Sequence, residues 1–254
     1  MRILAVINQK GGVGKTTTTV NLCHSLAMAN QRVLAIDLDP QGHMSASLGL
    51  KPSGNGLDAV FRHEASVADV VLNARNNLDL LAPGPRLNEF DGLRETAESS
   101  DWMLHNILND MEGYDFVVID CPPSSGLLGM NALVAAEEIL IPVPGDYLAL
   151  LGLSRLLSIL DGVEKKIQRE SEKWILVTRF DQRRRHAHEV ANKIHQYFPE
   201  QLLPTVIHES VALAESPSFG KSIFEYQPNS RSAKEYASLA DNLVSKVTIS
   251  RKLA

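Results

Sequence analysis

The sequence predicts an α/β fold, a single domain with a mainly parallel twisted sheet and helices on both faces. Three observations carry that prediction. Compact apolar runs without polar alternation recur along the chain, as strands buried on both faces require. Stretches with helical spacing separate them. No Pro/Gly/Ser-rich linker, internal repeat or low-complexity tract divides residues 1–254. Regular alternation of strand and helix specifies parallel pairing, because each crossover helix returns the chain to the same sheet edge.

The first strand is Arg2–Asn8 (RILAVIN), a run rich in branched side chains that meets a glycine-rich turn, and Thr17–Ala29 follows with helical spacing. Arg32–Asp37 (RVLAID) is the second strand. Lys51–Asn77 lacks a sustained period and reads as short helices and loops. Leu78–Ala82 (LDLLA) returns to strand, and Trp102–Met111 to helix, with Trp102, Met103 and Leu104 on a core pattern. Phe116–Asp120 (FVVID), Ile139–Val143 (ILIPV) and Trp174–Thr178 (WILVT) are further strands. Leu150–Ile167, His188–Tyr197 and Ala233–Val247 are further helices.

A chain of 254 residues, 44% apolar, can bury a sizeable core, which excludes disorder as its overall state. No apolar run approaches the roughly 18 residues of a membrane span, and no basic-then-apolar leader precedes the first strand. The expectation is a soluble, cytoplasmic protein. Cys23 and Cys121 are too few for a disulfide framework and lack the paired spacing of a metal site, so each reads as a small buried side chain. The net charge of −5 argues against a nucleic-acid partner. The two halves differ, however. Residues 1–127 hold 9 basic and 15 acidic side chains, whereas residues 128–254 hold 16 and 15.

Residues 10–17, Lys-Gly-Gly-Val-Gly-Lys-Thr-Thr, lie between the first strand and the first helix. Gly11, Gly12 and Gly14, with Val13 among them, let successive backbone N–H groups converge on phosphate oxygens, and the helix start adds its positive dipole end. Lys15 is placed along the β- and γ-phosphates, and the Thr16 hydroxyl is a Mg²⁺ ligand. The fold class is thereby narrowed to the phosphate-loop NTPase type. The usual first glycine of such loops is replaced by Gln9, and a second lysine, Lys10, follows it. Phosphoryl transfer with Mg²⁺ also needs carboxylates at neighbouring strand ends. Asp120 ends one strand before Cys-Pro-Pro-Ser and suits a carboxylate holding Mg²⁺ through water. Asp37-Leu38-Asp39-Pro40-Gln41 ends another, where Asp39 is placed to orient the attacking water. A single aspartate after a strand is usually a cap or turn residue. Two such loops beside a phosphate loop read as a site.

Lys10–Thr17, Asp37–Gln41 and Asp120–Ser124 resemble the deviant Walker A, Walker A′ and Walker B motifs of ParA/Soj partition ATPases, within the wider ParA/MinD group. Tyr147–Leu157, Thr178–Arg183, Leu213–Gly220 and Tyr226–Tyr236 extend the resemblance over nearly the whole chain, in the family's order. It implies a Mg²⁺-dependent ATPase in which ATP drives a face-to-face homodimer and the signature lysine, here Lys10, reaches the phosphates of the other subunit. Lys15 is then the phosphate lysine, Thr16 and Asp120 serve Mg²⁺, Thr17 contacts phosphate, Asp39 positions water and Asp37 supports the loop. Chemically, a cation supplied in trans acts as an arginine finger does.

The resemblance further implies non-specific double-stranded DNA binding by the ATP dimer, a nucleoid location, and a ParB-like adaptor that stimulates hydrolysis. Together these describe segregation of plasmid or chromosomal DNA. Arg183 matches a family DNA-contacting arginine, and Arg184 and Arg185 extend it, with Arg179, His186, His188 and Lys193 nearby. An isolated run of arginines reads equally as a solvated helix start. The segment Pro204–His208 departs from the family's Pro-Arg-Asn-Val-Arg, which puts a second DNA arginine and the usual adenine contacts in doubt. With the phosphate loop starting at Lys10, no N-terminal helix-turn-helix is expected. The same switch with a protein cargo, such as a chemoreceptor array, a carboxysome-like body or a division regulator, is the alternative. A MinD-like membrane regulator is disfavoured because the tail offers only Val247, Ile249 and Leu253 as apolar anchors. Iron-protein-like reductases share the loop but need cluster cysteines, for which Cys23 and Cys121 are poorly placed. His186-x-His188 lacks the further ligands of a metal site.

Overall fold

The computed structural model describes residues 1–52, 54–92, 98–123 and 126–249. Ser124 of the third motif and Leu253 of the tail lie outside them. The apolar runs become β1 (Arg2–Val6), β2 (Val33–Asp37), β3 (Leu72–Arg75), β4 (Leu78–Leu81), β5 (Phe116–Asp120), β6 (Glu138–Pro144), β7 (Glu172–Phe180) and β8 (Leu202–His208). They pair in the order β3-β4-β2-β5-β1-β6-β7-β8. Every neighbouring pair is parallel except β3 with β4.

Between the strands run α1 (Lys15–Met28), α2 (His43–Ser47), α3 (Leu57–Phe61), α4 (Val67–Val70), α5 (Asn88–Gly92) and α6 (Met103–Asn109). After β5 come α7 (Leu127–Ala135), α8 (Tyr147–Ile167), α9 (Arg185–Tyr197), α10 (Val211–Glu215), α11 (Ile223–Tyr226) and α12 (Arg231–Val244). Alternate residues of each strand feed two cores. Ile3 and Ala5 pack with Leu128, Leu153, Leu156 and Ile194 of α7, α8 and α9. Leu4 and Val6 pack with Leu22, Leu26, Trp174, Tyr236 and Leu239, which covers the other face with α1 and α12. Both cysteines are buried, as expected, and burial raises both thiols.

Three departures from the expected elements have physical causes. Lys51–Asn77 contains a strand, β3, which forms an antiparallel hairpin with β4 at the sheet edge. Only Ala74 of its four residues is buried, so they lack the apolar run that marks the other strands. The expected Leu150–Ile167 helix starts at Tyr147, because the Asp146 side chain accepts from the Ala149 N–H as its cap. The third departure is the extension of the expected Ile139–Val143 strand to Glu138–Pro144, which adds Pro144 to Pro142 inside a sheet, where a missing N–H normally costs a ladder bond. Leu140 O accepts from Ile7 N, so the even-numbered residues of β6 face the β1 side. Both prolines lie beyond the last β1 pairing, where Asn8 Nδ2 donates to Pro142 O at 2.8 Å.

Candidate functional site

The register of the central strands brings the predicted residues to one sheet edge. Asp120 is level with both Val6 and Asp37, so the loops after β1, β2 and β5 open side by side at the carboxyl ends. The chain order reverses there: β1 leads to β2 on one side and β5 to β6 on the other, the switch point where open α/β sheets bind ligands. Gly12 (φ 72°) and Gly14 (φ 94°) turn the loop through the left-handed region. Gly14 precedes α1 without any side-chain cap, which leaves the first N–H groups of the helix facing the loop.

Lys15, the first residue of α1, is buried at 9% exposure. Thr16 Oγ1 donates to Asp120 Oδ2 at 2.6 Å, and Thr19 Oγ1 donates to Asp120 Oδ1 at 3.2 Å. Burial raises the Asp120 carboxyl above the ordinary range, against the pull of Thr16 and Lys15. Burial also raises Asp37, and repulsion from Asp120 adds to it. Asp37 accepts from Asp39 N at 3.2 Å and from Ser45 N at 3.3 Å, which braces the loop that carries Asp39. Asp39 is half-buried, and its Oδ1 accepts from Gln41 N at 3.0 Å.

The hydroxyl of Thr16 and the carboxylate of Asp120 are hard oxygen donors of the kind Mg²⁺ prefers, and a cation would relieve the buried charge. Among the described residues no group of three or more His, Cys, Asp or Glu has metal-holding geometry.

Beside the loop lies a cavity of about 240 Å³, walled by Ile207, Leu213, Ala214 and Tyr236 and edged by Glu209 and Ser210. Pro204–His208, which departs from the family segment, supplies part of this wall. Thr178, to which the sequence assigned no role, and Arg179, which it grouped with the basic run, hold the loop from the β7 side. Thr178 Oγ1 donates to Val13 O at 2.9 Å, and Arg179 donates to Gly12 O at 3.0 Å. Arg179 sits in the left-handed region at φ 48°, uncommon for a residue other than glycine.

The expected run of arginines leads into α9 on an exposed shoulder of the same edge. Arg183, with 87% of its side chain exposed, grips Asp181 in a fork at 2.9 and 3.0 Å, which holds that carboxyl at about 2. Arg184 reaches Asp181 at 3.3 Å and Arg185 reaches Glu189 at 2.9 Å. His188 contacts Gln182 O and the Phe180 ring. Lys10 stands apart from Lys15. Its Nζ meets Asp146 Oδ2 at 2.7 Å, with 44% of its side chain exposed. Asp146 escaped sequence reasoning although it follows an apolar strand as Asp37 and Asp120 do.

Comparison with known proteins agrees with this fold. The AAA_31 family model, an AAA domain, matches residues 1–173. The chain is 38% identical to the sporulation initiation inhibitor protein Soj of Bacillus subtilis, covering 94% of this chain and 96% of that one. It is 36% identical to the chromosome partitioning protein ParA of Myxococcus xanthus, covering 97% and 89%. The solved structure of cobyrinic acid a,c-diamide synthase from Mycobacterium smegmatis with bound ATP analog and magnesium is similar at 29% identity and TM-score 0.83, over 96% of this chain and 94% of that one. The chain belongs to the ParA/Soj family of chromosome-partitioning ATPases, and it is an ATPase whose cofactors are ATP and Mg²⁺.

Proposed function

We propose that the chain is an ATP-dependent dimerising switch that binds DNA without sequence preference and segregates plasmid or chromosomal DNA with a ParB-like partner, hydrolysis releasing the DNA. The observation that carries this reading is the separation of the two lysines. Lys15 is buried at the start of α1, close enough to Asp120 to pull on its carboxyl, whereas Lys10 is half-exposed and paired with Asp146. A cation so placed serves a second subunit better than its own.

In this reading Gly11 to Gly14 and Thr17 line the phosphates, Thr16 and Asp120 hold Mg²⁺, the latter through water, and Asp39 orients the attacking water. Bound Mg²⁺ supplies charge neutralisation on the transferred phosphoryl group. Asp37 keeps Asp39 in place through its hydrogen bond to the Asp39 N–H. The apolar cavity beside Gly12 and Thr18 takes the base, with Glu209 and Ser210 at its polar edge. Arg183, Arg184 and Arg185 meet phosphates by counterion release. DNA must first displace Asp181 and Glu189 from them, a small cost at so exposed a surface.

Electrophoretic or anisotropy measurement of DNA binding with ATP, ADP and no nucleotide, for the natural chain and Lys10→Ala, tests the reading. DNA should be retained with ATP only, and Lys10→Ala should lose it. Binding indifferent to nucleotide would overturn the switch.

A further inference from the structure

We propose that Asp146 is a resting-state latch for Lys10, a positioning residue whose carboxylate holds the signature lysine on its own subunit until ATP in a second subunit draws it away. The inference rests on the reading above that Lys10 acts across a dimer.

The latch is built on a rigid frame at both ends. At one end, Lys10 N donates to Asn8 Oδ1 at 3.0 Å, and Asn8 Nδ2 donates to Pro142 O at 2.8 Å. The entrance to the phosphate loop is therefore tied to β6, the strand that leads to Asp146. At the other end, Gly145 N donates to Thr178 O and Asp146 N to Pro144 O, fixing the turn after β6. The two carboxylate oxygens of Asp146 divide their work. Oδ1 caps α8 through Ala149 N at 3.0 Å, and Oδ2 takes Lys10 Nζ at 2.7 Å.

The cap fixes the carboxylate's direction whatever Lys10 does, so the lysine has a preformed site to return to. Just beyond it, Leu148 and Leu151 stand 66% and 55% exposed on the first turns of α8. The ion pair thus borders an apolar surface that a second copy of the chain would cover.

Lys10 cannot neutralise Asp146 and a partner's phosphate at full strength together, so the two anions compete. An isolated pair this exposed shifts an equilibrium by about 1.5- to 5-fold. A symmetric dimer releases two latches. The latch therefore weakens ATP-driven dimerisation by the square, about 2- to 25-fold.

The test is sedimentation equilibrium of the full chain with Mg²⁺ and the non-hydrolysable β,γ-imido analogue of ATP. Asp146→Asn keeps the cap and removes the charge, and Asp146→Ser does the same with a shorter side chain. Both should dimerise about 2- to 25-fold more tightly than the natural chain, and Asp146→Glu should restore weaker dimerisation. The double variant Asp146→Asn/Lys10→Ala should behave as Lys10→Ala alone, a dependence that a merely structural cap would not show.

Unchanged dimerisation in Asp146→Asn and Asp146→Ser overturns the latch. Weaker dimerisation also overturns it, since Asp146 would then be holding the partner's lysine within the dimer. Failure of the underlying reading looks different: Lys10→Ala would dimerise and hydrolyse ATP at the natural rate, whatever Asp146 does.

Discussion

Single side chains at the carboxyl edge carry the sharpest expectations. Lys15 is buried against bound phosphate in the proposed site, so Lys15→Ala removes a charge-assisted contact that nothing nearby replaces. A fall in ATP affinity of about 10- to 100-fold is expected by calorimetry. Asp39→Ala leaves the phosphate loop intact, so ATP should still bind and DNA-bound dimer should accumulate while hydrolysis falls about 100-fold. Normal turnover in that variant would remove Asp39 from its role. Asp37 and Asp120 add a pH signature. Their carboxyls are raised in the folded chain, mainly by burial, so the fold binds protons that the unfolded chain releases near pH 4. That contribution to stability is complete below about pH 4 and drains away as pH rises through the raised folded values. Chemical denaturation without Mg²⁺ should therefore show the metal-free protein losing stability from pH 5 to pH 8, and Asp37→Asn should flatten the loss.

At the scale of elements, one buried cluster ties the sheet centre together. Arg2 of β1 forks onto Glu138 of β6 at 2.6 and 2.7 Å, Trp174 Nε1 of β7 donates to the same carboxylate at 2.9 Å, and Arg2 also reaches Leu243 O on α12. Arg2→Ala would strand a buried carboxylate. A cost of about 3–5 kcal/mol is expected in denaturant unfolding, and Asp37 should be unaffected. The start of α9 is governed by charge rather than packing. Arg183→Glu should weaken DNA binding and lower the slope of log affinity against log salt by about 2, one phosphate per subunit in a dimer. Basal ATP hydrolysis should be unchanged. Unaltered DNA affinity would move the binding face elsewhere.

At the scale of the whole molecule, the acidic and basic features of the sequence resolve into two regions of one edge. The aspartates of residues 1–127 that end β2 and β5 converge beside the phosphate loop. The arginines of residues 128–254 stand on the shoulder after β7, each partly answered by Asp181 or Glu189. Net charge therefore says little about partners, because it averages an edge rich in aspartate with an exposed basic run. Glu209 joins the two regions. It faces Arg179, which touches Gly12 O, at 3.3 Å, and Arg184 at 3.9 Å.

The sequence by itself determined the strand–loop–helix unit around Lys10–Thr17, the two aspartate loops, the parallel sheet and the family. Each of these is written in local pattern: apolar runs, glycines that permit a left-handed turn, and carboxylates at strand ends. The edge strand β3 was not legible, since its four residues are stabilised by pairing with β4 and not by their own composition. Nor were the roles of Thr178, Arg179 and Asp146. Their partners, Val13, Gly12 and Lys10, lie more than 130 residues away in the chain, and only the order of strands in the sheet makes them neighbours. Local sequence encodes which groups can bind phosphate. The tertiary fold alone decided which lysine is buried, which one waits at the surface, and what holds it there.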